Sequence, residues 1–134
     1  MNLAFERRLL QAAVALAVLV PIGVGGWSVA QGPGFLLHAP VPRDLDSHFR
    51  YLSGIFVMLG IGFASCIPDI ERSGARFRLL GAMVIAGGLA RLVSLVAVGM
   101  PSAGHLGGLC LELGLVPLLM LWQARIARRF SRRL

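Results

Sequence analysis

Charge is scarce in this chain, and the scarcity excludes more than any motif includes. Charged residues make up 14% of its 134 residues, where a soluble domain carries about a quarter. Hydrophobic residues make up 57% and the mean hydropathy is +0.79, so an ordinary water-soluble domain is ruled out. Lysine is absent, and all thirteen basic residues are arginine, which reads as genome composition rather than chemistry. Only two cysteines occur, Cys66 and Cys110, with no CxxC or Cys/His spacing that would hold a metal. Both read as small buried apolar residues, and on the topology below their depths differ too much for a disulfide. No P-loop, dinucleotide fingerprint, HExxH, GxSxG or EF-hand loop is present. No ring of acids suggests a channel filter, and four helices are few for an alternating-access carrier. The chain is therefore read as non-enzymatic, with no cofactor and no metal.

Long apolar runs fill the sequence. A helix needs about 20 apolar residues to cross the hydrocarbon, and four stretches qualify, at about residues 9–30, 49–67, 79–100 and 105–127. Gly32-Pro33-Gly34, Pro40 and Pro42 follow the first, Pro68-Asp69 ends the second, and Pro101-Ser102 ends the third. The first stretch carries Arg7 and Arg8 ahead of it and Ser28-Val29-Ala30 near its end, as a signal peptide would. It is nevertheless long enough to span, and is read as a retained helix. Pro21 and Pro117 lie inside spans and are expected to bend or loosen them. In the 31–48 loop, Gly34-Phe35-Leu36-Leu37 is apolar enough to dip into the interface, and Asp44 or Ser47 is placed to cap the next helix.

Arginine placement gives the direction. Arg7 and Arg8 precede the first span, Arg72, Arg76 and Arg78 separate the second and third, and Arg125, Arg128, Arg129, Arg132 and Arg133 follow the fourth. On the opposite side the 31–48 loop carries only Arg43 and the 101–104 turn none. This bias puts both termini in the cytoplasm. The expected fold is all-α: one integral membrane domain over residues 1–134, a four-helix bundle running up-down-up-down in a bacterial inner membrane. Trp27 and Trp122 fall at the two interfaces, where aromatic belts form.

Two charges interrupt the apolar runs. Arg91 lies deep in the third span and Glu112 in the fourth. A charge near the bilayer centre costs at least about 2.5–3.5 kcal/mol, so it faces protein or water and takes a partner. The short turn Pro101-Ser102-Ala103-Gly104 makes these spans antiparallel neighbours, and both residues lie about 10–13 Å below the outer surface at roughly 1.5 Å per residue. Gly87, Arg91 and Ser94 share a face, with Gly88 on its flank, and His105, Gly108 and Glu112 share another. An Arg91–Glu112 ion pair follows. Asp46, His48, Arg50 and Tyr51 enter from the same outer side, as do all three histidines, His38, His48 and His105. Together these outline an outer polar pocket. The plainer readings are a clasp that fixes helix register for Arg91–Glu112, and interfacial anchors for Arg50 and Tyr51.

The stretch Gly87-Gly88-Leu89-Ala90-Arg91-Leu92-Val93-Ser94-Leu95 through Gly99-Met100-Pro101-Ser102 resembles a known motif. So do Phe49-Arg50-Tyr51-Leu52-Ser53-Gly54 and the acid at Glu112. Together they resemble a family of small bacterial four-helix membrane proteins catalogued as a domain of unknown function, over about residues 10 to 127. The resemblance implies four spans and importance for Arg50, Arg91 and Glu112, and implies no activity. The glycine-rich helix faces fit close packing against other helices, so the expected role is an accessory subunit of a larger membrane complex, respiratory or photosynthetic. The alternative is a binder or small transporter of a lipid-soluble molecule (quinone, lipid or pigment) at Arg91 and Glu112, with His105 able to ligate a pigment metal. Membrane lipids are expected partners, drawn by the basic tail, and nucleic acid is not.

Overall fold

The computed structural model describes residues 2–37 and 40–132; His38 and Arg133 of the sequence reading lie outside them. Every regular element among the described residues is helical: α1 (Leu3–Ala17), α2 (Leu19–Gln31), α3 (Gly34–Leu37), α4 (Arg43–Ala64), α5 (Gly74–Val98), α6 (Ala103–Cys110), a π-helical segment (Leu111–Leu115) and α7 (Val116–Ser131). Among the described residues three runs are long and apolar enough to cross a membrane: Leu3–Gln31, Gly74–Val98 and Ala103–Ser131.

The stretch expected as the second span differs. It belongs to a 22-residue helix that starts six residues earlier, at Arg43 rather than 49. Its first two turns hold Arg43, Asp44, Asp46, His48 and Arg50. The apolar part then runs only from Leu52 to Ala64, short of the roughly 20 residues a span requires. The expected caps are also displaced. Pro42 occupies the N-cap without a side-chain bond, and Asp44 and Asp46 sit in the first turn, where their charge suits the helix dipole.

Both intrahelical prolines act where expected. Pro21 has no N–H, and its ring crowds the carbonyl four residues back, which is Ala17. The helix is interrupted there, between Ala17 and Leu19. Pro117 follows the π segment, in which the Val116 N–H bonds to the Leu111 carbonyl, five residues back. The wider turn absorbs the proline's missing donor and places Glu112 inside the irregularity, a position where π-bulges recur at functional sites.

The chain forms two compact units, a central one (Ala12–Ile67) and a terminal one (Met1–Gln11 with Pro68–Leu134). In the central unit α2 and α4 run antiparallel. A Cβ at Gly25 would meet Val57, and one at Gly60 would meet Ile22 at 2.8 Å and Pro21 at 3.0 Å, so these glycines set the approach of the helices. In the terminal unit α5 packs antiparallel on the π segment and α7: Gly81 faces Met120, and Gly88 faces Leu113 and Glu112. Cys66 is buried and Cys110 exposed, neither in a disulfide, so Cys110 departs from the buried reading.

Candidate functional site

Seven residues before the end of α5, Arg91 reaches the π segment. Its Nε donates to Glu112 Oε2 and its Nη2 to Oε1, each at 3.0 Å. The two-point fork is the strong form of an arginine–carboxylate bond. Glu112 is 9% exposed, whereas the Arg91 side chain keeps 36% of its surface open. Gly108 lies beneath the guanidinium, 4.0 Å from Cζ measured from its would-be Cβ. The expected pair is therefore formed, and the glycine that admits it on α6 is the one placed on its face.

On α5 the packed glycine is Gly88 rather than Gly87. A Cβ at Gly88 would stand 2.8 Å from Leu113 and 2.9 Å from Glu112, while Gly87 faces open space. Gly87 thus lies one turn before Arg91 with nothing within 4 Å of where its Cβ would stand.

His105 does not join the pair. Its Nδ1 lies 2.8 Å from Ser102 Oγ, which ties the ring to the turn that starts α6. Arg50, Tyr51, Asp46 and His48 lie in the central unit, and Arg91, His105 and Glu112 in the terminal one. Arg50 holds Asp46 through Nε to Oδ2 at 2.8 Å and donates to the carbonyls of Val29 and Ala30. Those are free carbonyls at the end of α2, where a cation is favoured. Arg50 is thus a clasp between α4 and the end of α2. Tyr51 is exposed, and its ring stands 6.4 Å from that of His48. No group of His, Cys, Asp and Glu able to hold a metal occurs among the described residues.

Sequence reasoning missed a second buried acid. Glu6, 2% exposed, accepts from Arg129 and pairs with Arg125. Beside it Arg7 bonds to Glu71 at 2.6 Å and to the Pro68 carbonyl at 2.7 Å, Arg72 stacks over Phe130, and buried Gln123 donates to the Ile70 carbonyl at 2.7 Å. The available signal was the spacing Arg125-x-x-x-Arg129, which puts two cations on one helix face, together with the lone acid of the first ten residues. Four of the tail arginines, Arg125, Arg128, Arg129 and Arg132, line one open groove.

The family model for a domain of unknown function, DUF4345, matches residues 9–123. That is most of the chain, and the protein belongs to this family. No curated protein and no solved structure matches it.

Proposed function

We propose that this DUF4345 member is a non-catalytic integral protein of the bacterial inner membrane, an accessory subunit packing against a larger membrane complex. In this reading the chain crosses four times in alternating directions, with both termini in the cytoplasm; the 22-residue α4 is the remaining span, its short apolar part in the hydrocarbon and its charged first turns among the outer headgroups. The one-sided arginine distribution supports that orientation.

One observation carries the packing role. Arg91 spends two of its nitrogens on Glu112, its Nη1 makes no hydrogen bond among the described residues, and a third of the side chain stays open. Gly87 beside it has room for a neighbour. A guanidinium edge bared to hydrocarbon is costly. A helix laid against the Gly87 side, offering a carbonyl or hydroxyl to Nη1, removes that cost.

The same open edge favours one second reading, a lipid-soluble molecule whose carbonyl takes the place of the partner's. The closed seam of Gly88 against Leu113 leaves the inner side of the pair filled, which argues for the helix partner. A mild-detergent pull-down of the tagged chain from its native membranes, read by native mass spectrometry, decides. A stoichiometric large complex is expected. A lone chain carrying a small molecule transfers the site to the ligand reading, and a bare monomer removes both.

A further inference from the structure

The end of α7 concentrates like charge on one face. Arg125, Arg128, Arg129 and Arg132 are spaced i, i+3, i+4 and i+7, which at 3.6 residues per turn is a single stripe. Like charges three and four residues apart repel. Glu6 bonds Arg129 and Arg125. Arg128 has only a backbone acceptor, the Ala124 carbonyl at 3.3 Å, and the Arg132 side chain has no acidic partner among the described residues. The four arginines line an open groove of about 290 Å³, and Glu6 bonds two of them.

The position of the groove selects the anion. Leu118 and Leu121, both largely exposed, lie one to two turns before Arg125 on the apolar run Ala103–Ser131. With that run in a bilayer, the arginines fall where the hydrocarbon gives way to headgroups. We propose that the groove binds the phosphate of an anionic membrane lipid, with Arg128 and Arg132 supplying the donors that Glu6 leaves uncommitted. The inference requires α7 in a membrane and is independent of the accessory-subunit reading.

The test uses the full chain in detergent, titrated with phosphatidylglycerol or with phosphatidylcholine of the same acyl chains and read by native mass spectrometry. Near an anionic surface each arginine contributes about 1 kcal/mol, or about fivefold. The wild type is therefore expected to retain phosphatidylglycerol about 25-fold better. The Arg128→Gln/Arg132→Gln variant should bring the two lipids close to parity, with unchanged thermal unfolding. The Arg8→Gln/Arg78→Gln variant removes two exposed arginines outside the groove and should keep the preference. Preference retained in the first variant, or lost equally in the second, overturns the site. Displacement of the lipid by millimolar inorganic phosphate overturns the lipid as its occupant.

Discussion

Arg91 and Glu112 meet edge to edge across α5 and the π segment, two nitrogens to two oxygens at 3.0 Å each. The burial is unequal: the carboxylate is enclosed and the guanidinium is not. The two partners therefore do different work. Glu112 depends on Arg91 for its tolerance in an apolar setting, whereas about a third of the Arg91 side chain stays open.

Removing Arg91 should cost more than removing Arg50. Arg91→Ala strands a buried carboxylate, a loss on the order of 3 kcal/mol. Arg50→Ala breaks a half-exposed pair worth about 0–1 kcal/mol, along with its bonds to the Val29 and Ala30 carbonyls. Thermal unfolding of both variants in one detergent makes the comparison, and equal midpoints would contradict the pairing argument. Arg91→Leu/Glu112→Leu should recover most of the loss, because an apolar pair leaves no orphaned charge.

The two adjacent glycines of α5 should separate folding from assembly. Gly88→Ala drives a methyl into Leu113 and Glu112 and should destabilise by about 1–3 kcal/mol, as overpacking does. Gly87→Ala meets nothing, and the gain in helix propensity, roughly 0.5–1 kcal/mol, should leave the purified chain at least as stable. Gly87→Leu should then fold normally yet fail to recover the large complex from native membranes. Full recovery with Gly87→Leu would remove this face from the interface.

Glu6 should matter out of proportion to its place near the start of the chain. Glu6→Ala deprives Arg125 and Arg129 of their shared acceptor. Hydrogen bonds to charged groups are worth about 1.5–3 kcal/mol, and a loss in that range is expected. Arg8→Ala, an exposed change two residues on, should stay within about 0.5 kcal/mol. Denaturation midpoints that do not differ between the two variants would mean that the Glu6 contacts contribute nothing.

Three of the four expected spans and the Arg91–Glu112 ion pair were legible because lipid enforces simple rules. Apolar length marks a helix, and an isolated charge inside one demands an opposite charge at the same depth, which singled out Arg91 and Glu112. Proline chemistry is equally local, so the break after Ala17 and the loosened turn before Pro117 could be anticipated. The Glu6 cluster was not legible, because it joins residues more than a hundred positions apart and no periodicity encodes such a contact. Gly87 and Gly88 could not be ranked, because helical spacing places both near Arg91 and only the neighbouring Leu113 distinguishes them. The early start of α4 was missed for a physical reason too. Charged residues were read as loop, whereas acids in a first turn and an Asp46–Arg50 bridge suit a helix start.

Gly32 and Gly99 both have positive φ, +67° and +111°, where a side chain costs about 1–3 kcal/mol in backbone strain. Around Gly99 there is open space, so Gly99→Ala should pay the strain alone. At Gly32 an added Cβ would collide with Asp46 Oδ1 and come within 2.6 Å of Arg50 Nη2. Gly32→Ala should therefore also push apart the Arg50 clasp, and lose about 1 kcal/mol more than Gly99→Ala. A double-mutant cycle isolates this second part. Once Arg50→Ala has freed Asp46 to move, adding Gly32→Ala should cost no more than Gly99→Ala does. Contacts of this kind couple by about 0.5–3 kcal/mol, whereas independent sites add. Additive losses at Gly32 and Arg50 would mean that the clasp does not rest on the glycine turn.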